Sequence, residues 1–372
     1  MDPQSVFCPN LDCPARGQVG KGNIGIHSHK EQRYICHQCH QTFSATRGTP
    51  FYRLRNADDR VTLVIALLAH GCPPQAIVAA FGLDERTVAD WQQRAGQHCE
   101  AVHQHLVQQP RDLGQVQADE LRVKQQGQIV WVAMALQVAT RLWLGATLSP
   151  TRDADLVTAL FQQVRACALC RPLLICVDGF RAYLRAIQLT FREAVPSGGR
   201  GHPTLRPWDG ILIAQVVKQQ ARGHIVSVVR RIAQGTAAQV HALVQQTQGG
   251  GTINTAYIER LNATFRAHLA GLTRRGRSLV RQTTTLQAGV YVVGTVYNFC
   301  TDHDSLRVAL LVGRAGRRHW VPRTPAMAAG LTDHRWTVHE LLRYHVPPAR
   351  WTPPPRRGRP SKATKELLQQ WG

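Results

Sequence analysis

Residues Leu173-Leu-Ile-Cys-Val177 are apolar at every position. A strand with one wet face alternates apolar and polar residues, whereas one with no polar position has both faces covered. Such a strand is expected in a parallel or central position of a sheet that is covered on both faces. Three strand-like segments precede it, at 115–123, 129–139 and 141–148, and their short polar connections predict an antiparallel meander. Helical periodicity covers 152–165 and 180–187, and further strand patterns occupy 211–217 and 225–229. A late helix then carries Glu259. The order of meander, helix, buried strand, helix, further strands and late helix is compatible with a ribonuclease-H-like α/β core.

Three acids stand out in this order. Asp119 lies in Val116-Gln-Ala-Asp-Glu-Leu121 on the first strand. Its neighbour Glu120 competes with it, because successive side chains point to opposite faces and the flanking apolar residues favour neither. Asp178 ends the buried strand, where open sheets place ligands. Glu259 begins a basic stretch: from Leu261 to Arg281 there are five arginines and no acid. A solvated helix face usually mixes signs, so this one looks built to hold a carboxylate beside a polyanion. Each acid alone also fits an ordinary surface role, as a strand-end turn or a salt bridge. Three converging carboxylates repel one another unless cations share the site. The trio contains oxygen ligands only, which suits Mg²⁺ (or Mn²⁺), with two ions per site.

The charge balance agrees. With 45 Lys and Arg against 23 Asp and Glu, the 372-residue chain carries a net +22. That excess attracts polyanions, although charge alone does not choose between DNA, RNA and a membrane surface. No apolar run is long enough for a membrane span, and Met1-Asp-Pro-Gln-Ser5 has no signal-peptide pattern. A cytoplasmic, nucleoid-associated protein is expected.

Four of the ten cysteines cluster as Cys8-x4-Cys13 and Cys36-x2-Cys39. Two such knuckles can surround one tetrahedral zinc, with His37 and His40 as substitute ligands. Arg33, Tyr34 and Phe43 flank the second knuckle and either pack it or contact DNA. Further on, Pro74 opens a short amphipathic helix, Gly82 breaks it and Asp84 caps the next. Val88 and Trp91 anchor that second helix. The pair reads as a helix-turn-helix, placing Arg86, Thr87 and Gln93 toward base edges, against the plainer alternative of a helical hairpin.

On these residues the chain resembles the DDE transposases of the insertion-sequence-one family. The short block Ala118-Asp-Glu-Leu121 is similar to that family's first motif and selects Asp119. Asp178-Gly-Phe-Arg-Ala-Tyr183 is similar to its second. Ile258-Glu-Arg-Leu-Asn262, with Arg266, His268 and Leu269 beyond it, is the most specific of the three. The resemblance runs over about residues 8–285. It departs in a long insert between Asp178 and Glu259, whose middle, 197–202, reads as a loop, and in lacking the aromatic expected after the first motif.

The resemblance implies catalysis by Asp119, Asp178 and Glu259. Arg260 and Arg266 would contact phosphates, and Asn262 and Tyr183 would position DNA or a carboxylate. It also implies double-stranded DNA partners, namely terminal inverted repeats and target DNA, and a homodimer or higher oligomer on them. A nuclease or resolvase of the same core, or a domesticated DNA-binding regulator, are the alternatives.

The resulting division is a zinc module over 1–52, a helix-turn-helix domain over 53–110, a catalytic domain over 111–300 and a basic Pro/Arg-rich region over 301–372. The last contains Arg357-Gly-Arg359-Pro, an AT-hook core, within a proline-stiffened basic segment. The apolar run Val290-Tyr-Val-Val293 suits either core or a partner surface.

Overall fold

The computed structural model describes residues 1–195, 202–221, 224–273, 280–312, 317–350 and 361–371. Arg357 and Arg359 of the hook, the run Arg274-Arg-Gly-Arg277 and most of the expected loop at 197–202 lie outside the described residues. The chain forms two compact units, Met1–Gly48 with His345–Gly372, and Thr49–Tyr344.

The first unit is built on three short antiparallel strands, β1 (Ile24–Ser28), β2 (Arg33–Cys36) and β3 (Thr42–Ser44). Its small core consists of Ile24, Tyr34 and Phe43 packed with Cys8, Cys13 and Cys36. Tyr34 and Phe43 are therefore packing residues, with ring centroids 5.7 Å apart, and Arg33 donates to the Thr42 hydroxyl at 2.6 Å. The returning segment is tied in by Arg16, which donates to the Ala349 carbonyl at 2.7 Å.

The second unit opens with three helices: α1 (Asp58–Ala69), α2 (Pro74–Phe81) and α3 (Glu85–Leu106). Gly82 closes α2 in the left-handed region at φ 59°, a conformation that only glycine adopts without strain. The Asp84 side chain caps α3 through the Arg86 amide at 2.8 Å. Val88 and Trp91 are buried as anchors. The pair is not, however, resolved as a distinct helix-turn-helix. α3 continues for 22 residues, and its later turns bury His98, Cys99, Val102 and His103 in the unit's interior.

Strands β4 (Gln115–Gln125), β5 (Gln128–Gln137) and β6 (Trp143–Ser149) form the expected meander. Then follow α4 (Ala154–Cys167), the buried β7 (Leu173–Val177) and α5 (Ala182–Thr190). A small hairpin, β8 (Arg192–Val195) with β9 (Thr204–Pro207), precedes the long pair β10 (Ile211–Ala221) and β11 (His224–Gln234). The main sheet has six strands in the order β11-β10-β7-β4-β5-β6. β7 is parallel to both β4 and β10, and the other pairings are antiparallel. A three-strand meander extended from its first strand by two parallel strands is the order of a ribonuclease-H-like sheet, here with β11 added at one edge.

Helices cover both faces. α4 and α5 lie on one side, α6 (Ala237–Gln248) and α7 (Ala256–His268) on the other. α8 (Thr283–Phe299) is buried almost all round, including Val290, Tyr291, Val292 and Val293. That run is core of this chain, so it is not available as a partner surface. α8 packs so closely on α3 that a Cβ on Gly96 would lie 2.4 Å from the Ala288 Cα. A hairpin, β12 (Val308–Val312) with β13 (Arg317–Val321), and two short helices, α9 (Pro325–Ala328) and α10 (Val338–Arg343), complete the unit. Trp336 stacks on Phe299 at 4.8 Å and joins this last stretch to α8. Among the described residues, no helix is long and apolar enough to cross a membrane.

Candidate active site

Strand register brings the acids to one edge of the sheet. Gln117 on β4 pairs with Cys176 on β7, so two residues further along Asp119 is level with Asp178. Asp119 faces α7, where Asn262 donates to its Oδ2 at 2.8 Å. Glu120 points to the opposite face, toward α5 and the segment before α4. Its longer side chain bends back to the same edge. Carboxylate oxygens of Asp119, Glu120 and Asp178 consequently lie within 4.8 Å of one another. The competition between Asp119 and Glu120 is thus not settled by exclusion, because both reach the site.

The three differ in environment. The Glu120 side chain is 1% exposed, and its Oε1 is buried without a hydrogen-bond partner. Burial pushes its carboxyl pKa up, against the opposing effects of the Tyr183 hydroxyl and Arg152. Tyr183 is fully buried beside it, outside the cleft lining. Burial raises Asp119 to about 6, helped by the charges of Glu120, Asp178 and Glu259. Asp178 is half-buried, and its Oδ1 accepts from the Phe180 amide at 2.8 Å, which fixes the carboxylate at the end of β7.

Glu259 lines the same cleft without joining that close group. It accepts from Thr255 Oγ1 at 2.8 Å and pairs with Lys218 of β10. Burial would raise its pKa, but these two partners override that effect and lower it. The cleft has a volume of about 1040 Å³ and is open to solvent. Its walls carry the cations Arg152, Lys218 and Arg266. Arg152 Nη2 sits 2.9 Å from Glu120 Oε2 and 3.1 Å from Asp178 Oδ2. Neither Arg152 nor Lys218 was singled out by the sequence. Each lies in a segment of ordinary composition, and only chain folding brings it to an acid.

Of the other sequence candidates, Asn262 and Arg266 line the cleft and the rest described lie outside it. Arg260 is exposed on α7, outside the cleft lining, and Asn262 is buried. His268 packs edge-to-face on His70, with ring centroids 5.7 Å apart. Arg86 is exposed on the first turn of α3, while Thr87 and Gln93 are half-buried.

In the first unit, Cys8, Cys13, Cys36 and Cys39 form a second cluster, again with ligand atoms within 4.8 Å. The Cys8–Cys39 and Cys13–Cys36 sulfur separations are 3.7 and 3.9 Å. Four thiolates around a tetrahedral zinc at about 2.3 Å would be about 3.8 Å apart, so the cage fits that ion. Asn23 donates to Cys36 Sγ at 3.2 Å, as expected for an electron-rich sulfur. His37 and His40 are exposed and lie outside the cluster.

No family model matches the chain, and no curated protein matches it. Among solved structures, a chain of the simian T-cell lymphotropic virus intasome in complex with PP2A regulatory subunit B56 gamma is similar at 12% identity. The match covers 81% of this chain and 80% of that chain with a TM-score of 0.27. So loose a superposition transfers nothing to this molecule, whose fold rests on its own strand order.

Proposed function

We propose that this chain is a DDE-type DNA transposase, as its resemblance to the insertion-sequence-one family implies. The observation that carries the reading is the cleft where Asp119, Glu120 and Asp178 converge between cationic walls, with Glu259 on the rim. All four are hard oxygen donors, and Glu120 Oε1 is buried without a hydrogen-bond partner. They would hold Mg²⁺ or Mn²⁺, two ions per site, which would supply Lewis-acid activation of a water or 3′-hydroxyl and neutralise the leaving oxygen. Asn262 holds Asp119 in orientation. Arg266 and Lys218 meet the phosphates of a strand lying in the cleft, and Arg260 meets the backbone beyond it.

The remaining roles follow from the same reading. Cys8, Cys13, Cys36 and Cys39 hold one structural zinc. α2 and α3 act as a helix-turn-helix in which Arg86, Thr87 and Gln93 approach base edges. Arg357 and Arg359 enter the minor groove of A·T-rich DNA. The partners are double-stranded element ends and target DNA. The working form is at least a dimer, since each end needs a triad and one chain carries one. The protein works in the bacterial cytoplasm, on the nucleoid.

A nuclease of the same core would cut without joining. The test uses purified full-length protein with Mg²⁺ and a plasmid carrying the gene with its flanking DNA. Cleavage at the flanks followed by joined products supports a transposase, and cleavage without joining supports the nuclease. Loss of both activities in Asp178→Asn, with gel-shift binding retained, ties the chemistry to the cleft. Cleavage that survives Asp178→Asn overturns the site.

A further inference from the structure

Arg152 occupies an unusual place. It lies in the connection between β6 and α4, outside either element. A single nitrogen, Nη2, is shared between Glu120 at 2.9 Å and Asp178 at 3.1 Å. These carboxylates come from different strands, and a cation bridging them would lie near the same point. The usual strong geometry between arginine and a carboxylate is a two-nitrogen fork on one acid. Here that fork is given up for one contact with each of two acids. Arg152 Nε is buried without a partner, so the position does not satisfy the whole guanidinium. The group also already rests against two aromatic rings. Its carbon lies 4.2 Å from the Phe180 ring centroid and 5.4 Å from that of Trp131, so the aromatic faces can hold it after the carboxylates let go.

We propose that Arg152 is the resident counter-ion of the acid site and competes with a divalent cation for Glu120 and Asp178. Two carboxylates this close repel each other, and one positive group must offset them. Arg152 does so within the chain. A metal ion does it in exchange, releasing the guanidinium into the cleft, where it faces the anionic strand that the metal attends. The inference rests on the reading of these acids as metal ligands.

The test measures manganese affinity, from the free-ion paramagnetic resonance signal, in zinc-loaded full-length protein. Wild type, Arg152→Gln, Arg152→Met, Arg152→Lys and Asp178→Asn are compared. Removing one positive charge a few ångströms from the ion is expected to tighten binding at least about tenfold in Arg152→Gln and Arg152→Met. Arg152→Lys, which keeps the charge, stays close to wild type. Equal or weaker binding in the neutral variants, with binding still lost in Asp178→Asn, overturns the counter-ion and leaves the metal site standing. Absence of any manganese binding that depends on Asp178 overturns the metal reading and the inference with it. A readout without an Arg152 substitution is the emission of Trp131, taken as the difference from Trp131→Phe. Saturating Mg²⁺ is expected to shift it as the guanidinium moves, and an unchanged spectrum overturns the displacement.

Discussion

Among the described residues, two ligand clusters are of opposite design. The four cysteines of the first unit come from two short knuckles, and three of them are fully buried. They sit within a core of very few apolar residues, so whatever binds them holds that unit together. The carboxylates of the second unit come from β4, the end of β7 and α7, and they line an open cleft. Around them lies a large apolar core: β7 is wholly buried, α8 is nearly so, and Trp143 packs against His103, Tyr291 and Phe265. A closed cage of soft ligands builds structure, whereas an open set of hard ligands with cations beside it is suited to chemistry on an anion.

The largest expected effect attacks the cage. Cys36→Ser should abolish zinc binding and with it order in the first unit, since a structural zinc contributes on the order of 10 kcal/mol to a small metal-folded module. Metal analysis should fall from one zinc per chain to none, and limited proteolysis should cut within residues 1–48 while 49–344 stays protected. Proteolysis of both units alike would erase the contrast.

The next effect is catalytic. Asp178→Asn should reduce cleavage at least about a hundredfold while melting temperature and zinc content stay near wild type. A large drop in melting temperature would mean that the carboxylates also hold the fold.

Acid should reach the second unit through its core. Burial lowers the His103 pKa to about 4, and its Nε2 donates to the Leu144 carbonyl at 3.1 Å. The unfolded chain therefore takes up the proton more readily than the folded one. Stability is fully present above about 6.5, falls as pH drops and levels off near 4, with a loss of up to about 3 kcal/mol. Thermal melts between pH 7 and 4 should show this slope, and His103→Gln should flatten it. An unchanged slope in that variant would move the acid sensitivity to other groups.

The smallest effect probes the seat of Glu120. Tyr183→Phe removes the hydroxyl beside that buried carboxylate and should change stability by about 1 kcal/mol. Its larger signature is expected in metal affinity, because Glu120 loses the polar group beside it. Unaltered affinity would confine Tyr183 to packing.

Local rules made much of this legible in advance. An apolar run ending in Asp-Gly predicts a buried strand with an acid at its tip, and β7 with Asp178 is that element. Capping and turn residues locate α2 and α3, and knuckle spacing identifies the cysteine cage. Long-range pairing was not readable. The period-two pattern leaves Asp119 and Glu120 on opposite faces, and only a side chain folded back over the sheet edge reunites them. Helix length also escaped, since α3 runs on to Leu106 because α8 covers its later turns. The same holds for α8 itself, whose apolar residues fit a core or a partner equally well until the rest of the chain closes round them.

By itself the sequence pointed to the layered α/β class and to the cysteine cage, because each depends on spacing over a few residues. The tertiary structure alone decided which cations meet the acids of the cleft. Arg152 lies 32 residues from Glu120 and 26 from Asp178, and Lys218 lies 41 from Glu259. Such pairs are set by strand order and register, and electrostatic attraction between distant residues leaves no periodic trace in the chain.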